Sequence, residues 1–332
     1  MLKIAINGFG RIGRSVARIV SDRDDIELVA INDIASAQMM EYLLKNDSVH
    51  GKFNKNVELL GDNYLQIENS KVKLLFEDSP EKIDFTKYGA DLVLECTGKF
   101  LKSKDVECYI EKGISKVIFS AVPHDDTPTF ALGVNEQNYN GEKIISNASC
   151  TTNCLAPIVK VLDDKFGLEK AFVTTIHSYT GDQNLLDSKH SRDVRRSRAA
   201  AINMIPTSTG AAKGLNKVLP QMIGKISGHS VRVPTPNVSM VDLNIVLKSS
   251  TSVLEINSLF KKAQNDYLHL DDQKRVSSDF IGSAYSCIIA SDLTQVLEEN
   301  FIKVMAWYDN EFGYANRLVE MALFISGEKE WN

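Results

Sequence analysis

The sequence predicts a two-domain α/β protein, with a doubly wound parallel sheet in its first half and an α+β second half on a largely antiparallel sheet. A glycine-rich turn joins a strand to an amphipathic helix near the start, and nearly continuous apolar runs follow between residues 90 and 135. Such runs are typical of parallel strands covered on both faces. After residue 149 the strand patterns are longer and have few helices between them, which favours an antiparallel sheet.

The composition excludes several classes of protein. The chain has 332 residues, enough for about two domains, and is 43% hydrophobic with a net charge of -5, so nothing general favours nucleic acid or an acidic membrane. No apolar run approaches the ~18–20 residues of a membrane span, and the start lacks a signal-peptide pattern. The five cysteines are dispersed, which favours reduced thiols and a cytoplasmic protein.

The first elements predict a dinucleotide-binding Rossmann fold. A strand at 2–7 runs into a helical pattern at 8–20, and a second strand at 26–33 ends in an aspartate. The glycines between the first strand and the helix fit G-x-G-x-x-G and are Gly8, Gly10 and Gly13. They permit a tight turn, close approach to a pyrophosphate and close helix–strand packing. Asp33 is then placed to accept hydrogen bonds from the adenosine ribose. The alternative, a turn that only requires small residues, does not explain this aspartate.

Further strands are predicted through residue 149. They lie at 72–77, 90–98, 116–122, 131–135 and 143–149. Two of them end in small polar residues, Thr97 and Ser120, at the sheet edge where doubly wound proteins bind ligands. Ordinary turn residues and cofactor contacts are equally good interpretations of these two positions.

The second half has a different organisation. Strands are predicted at 171–181, 229–237, 239–248 and 301–310, and helices at 253–266 and 316–326. The change in pattern falls near residue 149. We therefore expect a first domain over 1–149 and a second over 150–315.

The stretch SNASCTTNC, residues 146–154, contains two cysteines four positions apart. An apolar helical pattern follows Cys150 and ends at Gly167, so Cys150 begins a helix that Asn147 or Ser149 can cap. The positive end of a helix favours the thiolate. Cys154 lies one turn further in among apolar residues, which indicates a packed thiol.

Other roles for the two cysteines are less well supported. No second Cys/His cluster has the spacing of a zinc site, so no metal is expected. A disulfide between residues one helical turn apart would be strained. A nucleophile needs a base, and His177 near the end of an apolar strand can supply one. One histidine on a strand more often has a structural role. Together with a cysteine at a helix start and a cofactor-binding fold, a catalytic role for His177 is favoured.

Six segments occur along the chain in this order: NGFGRIGR, SNASCTTNCLAP, TTIHSYTGDQ, RRSRAAAINMIPTSTGAAK, VRVPTPNVS and WYDNEFGYANR. With these segments, the sequence resembles phosphorylating glyceraldehyde-3-phosphate dehydrogenase. The resemblance implies a Rossmann domain that binds NAD, a catalytic domain, and a terminal helix at 316–332 that packs back on the first domain.

The resemblance also implies a glycolytic reaction. Cys150 attacks the aldehyde of glyceraldehyde 3-phosphate, and His177 takes the proton and stabilises the oxyanion. Oxidation by NAD leaves a thioester on Cys150. Inorganic phosphate then releases 1,3-bisphosphoglycerate.

By the same resemblance, two groups of residues hold the phosphates. Thr180 and Arg232 bind the C3 phosphate of the substrate, where the planar arginine offers paired donors. The residues for the attacking phosphate are Ser149, Thr151, Thr209 and Gly210, the last two before a predicted helix start.

Four further residues resemble cofactor contacts of the family. Arg11 and Ile12 follow Gly10 and are expected at the pyrophosphate. Asn310 and Tyr314 are expected to orient the nicotinamide carboxamide and to pack on its ring. Around residue 78, where many relatives carry a basic cofactor contact, this chain has FEDSP, and no contact is carried over.

The basic segment 178–198 resembles the family's long loop that lies against a neighbouring subunit, which implies a homotetramer. Two alternatives stay open: a dehydrogenase acting on erythrose 4-phosphate, and a cofactor-binding scaffold protein without activity. The TSTG segment and Thr180 speak against the first, and the presence of Cys150 with His177 speaks against the second.

The choice of dinucleotide depends on two regions. Asp33 lies where the 2′-phosphate of NADP would sit and should repel it. In the loop, strict NAD users of the family often have a proline just after the aspartate or leucine. This chain has Ser188 and Lys189 there instead, followed by Arg192. We expect NAD as the cofactor, with weak NADP use.

Overall fold

The computed structural model describes residues 1–191 and 193–327. They form two compact units. The first unit contains 1–130, 136–148 and the described part of 314–332. The second contains 131–135 and 149–313.

The helices and strands follow the predicted order. The strands are β1 Leu2–Asn7, β2 Ile26–Asn32, β3 Val57–Leu59, β4 Tyr64–Ile67, β5 Ser70–Leu75, β6 Leu92–Glu95, β7 Lys116–Phe119, β8 Ile144–Ser146, β9 Leu168–Ser178, β10 Ile205–Thr207, β11 Ile226–Val233, β12 Ser239–Leu247, β13 Leu268–Asp271, β14 Cys287–Ala290, β15 Gln295–Leu297 and β16 Phe301–Tyr308. The α-helices are α1 Arg11–Val20, α2 Ala37–Lys45, α3 Ser103–Glu111, α4 Cys150–Phe166, α5 Ala211–Val218, α6 Val253–Lys262 and α7 Phe312–Ser326.

The first unit is built on a sheet of order β3-β4-β5-β2-β1-β6-β7-β8. In this order, all neighbouring strands from β5 to β8 are parallel. At the other edge, the pairs β3–β4 and β4–β5 are antiparallel. Most residues of β1, β2, β6, β7 and β8 are buried, as their apolar sequences predict, whereas β5 is buried only at Val72 and Leu74. Their carboxyl ends lie along one edge of the sheet, where the predicted cofactor residues follow β1, β2 and β6.

Glycine is required at the turn between β1 and α1. Gly8 has a φ of +95°, and a Cβ on Gly13 would lie 2.2 Å from the carbonyl oxygen of Gly8. Only a residue without a side chain lets the helix start this close to the strand. This close packing is the role that the G-x-G-x-x-G spacing predicts for Gly13.

The second unit is built on a mixed sheet of order β10-β11-β9-β12-β16-β14-β13, with β15 paired to β16. Its central pairs, β9–β12, β12–β16 and β14–β16, are antiparallel, while β9–β11 and β13–β14 are parallel. The buried helix α4 packs on the sheet. The largely antiparallel sheet predicted for this half is therefore confirmed.

One predicted strand is wrong. Residues 131–135 form a turn, in which the Asn135 side chain accepts a hydrogen bond from the Ala131 N–H at 2.8 Å. Gly133 has a φ of +77°, which extended backbone does not adopt. The apolar residues that suggested a strand are buried within this turn, namely Ala131, Leu132 and Val134.

The structure describes no helix that is both long and apolar enough to cross a membrane.

Several strands end earlier than the sequence predicts. β6 stops at Glu95 and β7 at Phe119, so Thr97 and Ser120 lie just beyond the strands rather than in them.

Candidate active site

A sharp turn places Cys150 at the first position of α4. Ala148 has a φ of +55°, a left-handed conformation that is unfavourable for any residue with a side chain. The Ser146 hydroxyl accepts a hydrogen bond from the Ala148 N–H at 3.0 Å and donates to the Ala121 carbonyl at 2.7 Å. Ser149 then caps the helix by accepting from the Thr152 N–H at 3.1 Å. Of the two caps that the sequence offered, Ser149 is the one used.

Tyr314 also acts on this turn. Its hydroxyl donates to the Ala148 carbonyl oxygen at 2.9 Å, and the side chain is buried. The strained residue is thus held on both of its backbone polar groups. The structure gives Tyr314 this contact in addition to the nicotinamide role that the resemblance implies.

Cys150 and His177 form a pair. The Cys150 Sγ lies 3.8 Å from the His177 Nε2, and His177 sits near the end of β9. The His177 Nδ1 lies 2.7 Å from the Ser178 carbonyl oxygen, which can only accept. The proton of a neutral imidazole is therefore placed on Nδ1, which leaves Nε2 free to accept the thiol proton.

Burial acts on both members of the pair. It raises the pKa of the Cys150 thiol, against the lowering effects of the Thr151 hydroxyl and of the Arg232 charge. Burial, followed by the Arg232 charge, lowers the pKa of His177 to about 3. The expectation that the helix start favours the thiolate left out this desolvation. In the ligand-free protein, the imidazole is a neutral base rather than a cation.

Arg232 on β11 faces the same histidine. Its Nη1 donates to the Ser178 carbonyl oxygen at 3.1 Å and to the Thr180 hydroxyl at 3.4 Å. It also lies 3.1 Å from the His177 Nδ1, but a protonated Nδ1 cannot accept from it, so this contact is not a hydrogen bond in that tautomer. Its buried Nε has no hydrogen-bond partner among the described residues. A buried guanidinium with an unused donor beside a threonine is suited to bind an anion.

The four residues predicted for the attacking phosphate have different surroundings. The Thr151 hydroxyl pairs with the Tyr308 hydroxyl at 2.8 Å, and the Ser149 hydroxyl pairs with the Thr152 hydroxyl at 2.8 Å. Gly210 is the N-cap residue of α5 and has no side chain to cap it. The preceding Thr209 accepts from the Ala211 N–H at 3.1 Å.

Arg196 is a candidate that the sequence reasoning did not single out. It forms an ion pair with Asp182 and donates to the Thr207 hydroxyl at 2.9 Å and to the Ser208 carbonyl at 3.3 Å. Arg196, Thr207 and Ser208 line a cavity of about 710 Å³, and Gly210 forms part of the same wall. The basic composition of 189–198 was the available signal, but it did not distinguish Arg196 from its neighbours.

The amide of Asn310 has a fixed orientation. Its Oδ1 accepts from the Ser178 hydroxyl at 2.9 Å and from the Ser239 hydroxyl at 2.8 Å. The Ser239 hydroxyl also accepts from the Ser178 N–H at 3.1 Å. With Oδ1 occupied twice, the Nδ2 is the group that Asn310 can offer to a ligand carbonyl.

The carboxyl edge of the first sheet contains a separate cavity of about 230 Å³. Four of the predicted cofactor residues line it, namely Gly8, Gly10, Asp33 and Thr97. A Cβ on Gly10 would meet nothing within 4 Å, and α1 starts here without a side-chain cap. Open space beside the start of a helix fits the pyrophosphate of a dinucleotide. Asp33 accepts from the Phe9 N–H at 2.6 Å and from the Ala35 N–H at 2.9 Å.

Six predicted cofactor residues are not among those lining this cavity, namely Arg11, Ile12, Gly13, Ser120, Asn310 and Tyr314. The Arg11 side chain forms an ion pair with Asp47 instead. Although burial alone would raise the pKa of Asp47, that ion pair and two backbone N–H donors lower it. The cavity residues that sequence reasoning missed are Asn7, Asn32, Ile34, Glu77, Asp78, Ser79, Ile83, Cys96, Lys99 and Phe100.

The structure brings together no three His, Cys, Asp or Glu side chains that could hold a metal ion, within the part of the chain it describes. All five cysteines have free thiols. Cys154 is fully buried, as predicted for a packed thiol.

Comparison with known proteins gives a consistent result. The family model described as glyceraldehyde 3-phosphate dehydrogenase, NAD binding domain, matches residues 2–103, and the C-terminal domain of the same family matches 149–310. Glyceraldehyde-3-phosphate dehydrogenase of Priestia megaterium is 47% identical over 333 residues, covering 98% of this chain and 99% of the relative. Glyceraldehyde-3-phosphate dehydrogenase 1 of Bacillus subtilis is 45% identical, covering 98% of both. The chloroplastic glyceraldehyde-3-phosphate dehydrogenase A of Zea mays is 46% identical, covering 97% of this chain and 81% of the relative.

The two cysteines of α4 should differ sharply in reactivity. We expect Cys150→Ser to abolish turnover and Cys154→Ser to leave most of it, because only Cys150 faces His177. A stoichiometric alkylating agent, followed by peptide mass spectrometry, should label Cys150 first. Equal labelling of Cys108 or Cys287 would count against an activated nucleophile at Cys150.

Proposed function

Because the chain belongs to the glyceraldehyde-3-phosphate dehydrogenase family, we propose that it oxidises glyceraldehyde 3-phosphate with NAD and inorganic phosphate to 1,3-bisphosphoglycerate. The observation that carries this proposal is the pairing of the Cys150 Sγ with the His177 Nε2 at 3.8 Å, beside the buried guanidinium of Arg232. A nucleophile, a neutral base and an anion-binding group are the parts that this chemistry needs.

The first step uses the neutral pair. Cys150 attacks the aldehyde carbon while its thiol proton moves to the His177 Nε2, which gives a thiohemiacetal. The hydrogen bond from Nδ1 to the Ser178 carbonyl holds the ring in the tautomer that can accept this proton. The imidazolium formed in this step can then stabilise the oxygen of the thiohemiacetal.

Bound NAD supplies the hydride acceptor for the second step. The protein keeps the sulfur as the carrier, so the product of oxidation is a thioester on Cys150. Phosphate attack on the thioester carbonyl forms the acyl phosphate and releases the thiol. The proton gained by His177 is lost before the next turnover.

Two anion sites serve these steps in the proposal. Arg232 and Thr180 hold the C3 phosphate, supported by their 3.4 Å contact and by the unused Nε of Arg232. Ser149, Thr151, Thr209 and Gly210 hold the attacking phosphate. Arg196 adds a positive charge next to Gly210 in the same cavity wall.

The remaining cofactor assignments follow the cavity and the fixed amide. Gly8, Gly10, Gly13 and Asp33 form the adenosine and pyrophosphate site, with Arg11 and Ile12 contributing backbone N–H groups. Asn310 presents its Nδ2 to the nicotinamide carboxamide, since its Oδ1 is already occupied. Thr97, Ser120 and Tyr314 complete the proposed set.

We also propose that the protein is a cytoplasmic homotetramer, with 1–149 as the NAD-binding domain and 150–315 as the catalytic domain. The support for assembly is the loop 178–198, in which Leu185, Leu186 and Val194 are exposed by 78%, 78% and 84%. A run of large exposed apolar side chains on one loop is typical of a protein interface.

The proposed activity predicts a phosphate-dependent reduction of NAD. The wild-type protein should raise the absorbance of reduced nicotinamide steadily with glyceraldehyde 3-phosphate and phosphate, and only up to one equivalent per site without phosphate. Arg232→Ala should lower kcat/KM for the phosphorylated aldehyde by roughly 30-fold or more, since losing a charge-assisted pair costs ~2–5 kcal/mol.

Unphosphorylated glyceraldehyde is the matched control for Arg232. Its turnover should change far less in Arg232→Ala, because it has no C3 phosphate for the guanidinium to bind. An equal loss with both aldehydes would remove Arg232 from the C3-phosphate role.

NAD should be preferred over NADP by about tenfold or more, at ~1.4 kcal/mol per tenfold. Asp33 lines the cofactor cavity together with two further acidic residues, Glu77 and Asp78, and all three would repel a 2′-phosphate. Asp33→Ala should therefore raise NADP use, and Ser188→Pro should lower it. Arg192, the other loop residue considered, lies outside the described residues. Better use of NADP than NAD by the wild-type protein would show that the loop outweighs Asp33.

A further inference from the structure

A chain of buried hydrogen bonds crosses the carboxyl edge of the first sheet. The Glu77 N–H donates to the Asn32 Oδ1 at 2.8 Å, and the Asn32 Nδ2 donates to the Asn7 Oδ1 at 2.8 Å. The Asn7 Nδ2 donates to the Glu95 Oε2 at 2.6 Å. From the other side, the Thr97 N–H donates to the Glu95 Oε1 at 2.9 Å, and the Thr97 hydroxyl contacts the same oxygen. The chain therefore follows the neighbouring strands β5, β2, β1 and β6 in their order in the sheet.

The direction of this chain is fixed at both ends. The Glu77 and Thr97 N–H groups belong to the backbone and can only donate. Turning the Asn32 amide over would set its NH₂ group against the Glu77 N–H, so neither asparagine can reverse. The donors consequently converge on Glu95 from both sides, and a carboxylate is the side chain that accepts on both oxygens.

Glu95 does not touch the cavity itself. Its side chain is 0% exposed, whereas Asn7, Asn32, Glu77 and Thr97 all line the cavity. Glu77 and Thr97 lie on loops that follow different strands, and the chain through Glu95 connects them. The shape of the cavity therefore depends on an acceptor that lies behind the cavity wall.

We propose that Glu95 is a positioning residue for dinucleotide binding, and that its carboxylate holds the cavity in the binding shape while the protonated acid does not. The inference rests on the proposed role of the cavity as the adenosine and pyrophosphate site of NAD. When Glu95 gains a proton, one of its oxygens turns from an acceptor into a donor. The converging donors then lose an acceptor, and the loops of Glu77 and Thr97 are no longer tied.

The environment of Glu95 makes the carboxyl group gain or lose its proton near neutral pH. Burial raises its pKa to about 7, against the lowering effects of the Thr97 and Asn7 hydrogen bonds, and Asp105 on α3 adds to the rise. Cys96 beside it and Tyr109 on α3 are both neutral, since burial raises the pKa of each. On β1 and β7 the residues paired with Glu95 are Asn7 and Phe119, which carry no charge.

The other charged groups near Glu95 line the cavity, and they are Asp33, Glu77, Asp78 and Lys99.

The direction in which affinity changes with pH follows from the raised pKa of Glu95. Below the pKa Glu95 is protonated, so affinity should fall as the pH is lowered through neutrality and rise as the pH is raised.

The test is calorimetric binding of ADP-ribose, which lacks the nicotinamide and needs no turnover. For the wild-type protein, the Kd should be lower at about pH 8.5 than at about pH 6 by roughly fivefold or more. Glu95→Gln places an amide NH₂ against one of the converging donors, so its Kd should rise about tenfold at the higher pH and lose the pH dependence. Thermal unfolding of the variant establishes that it is folded.

Asp91→Asn is the matched control. Asp91 also accepts a backbone N–H, that of Lys3 at 3.0 Å, but it lies at the opposite end of β6 and outside the cavity. Its ADP-ribose binding and pH dependence should equal those of the wild-type protein.

Three outcomes would overturn the inference. One is equal ADP-ribose affinity of the wild-type protein at both pH values, and another is an unchanged pH dependence in Glu95→Gln. Both would leave the proposed reaction standing. If the wild-type protein bound no ADP-ribose at either pH, the cofactor assignment itself would fail and the inference with it.

Discussion

The backbone turn at Ala148 is the constraint on which the chemistry of this protein depends. The chain leaves β8, adopts a left-handed conformation at one alanine, and begins a long buried helix two residues later. Ser146 and Tyr314 hold the two polar groups of that alanine, at 3.0 and 2.9 Å. A residue in this conformation costs about 1–3 kcal/mol and persists only where its surroundings determine it. Here the strain sets Cys150 at the helix start.

Near that thiol, a backbone group determines the polarity of the histidine. The Ser178 carbonyl makes the His177 Nδ1 a donor, while the Ser178 N–H donates to the Ser239 hydroxyl that contacts Asn310. The same logic governs the cofactor cavity, where backbone N–H groups direct the amide chain toward Glu95. Because backbone groups cannot reverse their roles, the side chains are pre-set for proton transfer and ligand binding before any substrate arrives.

Sequence reasoning predicted the parts of this protein that depend on local pattern. The glycine spacing, the cap at Ser149 and the stop at Gly167 follow from backbone rules acting over a few residues. The turn at 131–135 was mistaken for a strand, because its apolar residues are buried without being extended. Arg196 and the chain ending at Glu95 depend on residues distant in sequence. Burial opposes a Cys150 thiolate for the same reason, since only the folded protein shows how much water is removed.

The central claim is that Cys150 carries the substrate as a thioester. The most direct measurement is mass spectrometry of the intact protein and its Cys150 peptide after mixing with glyceraldehyde 3-phosphate and NAD without phosphate. The account predicts a phosphoglyceroyl adduct on Cys150, at about one per chain, that disappears when inorganic phosphate is added. Oxidised product formed without any adduct, or an adduct on another cysteine that phosphate releases at the rate of turnover, would contradict it.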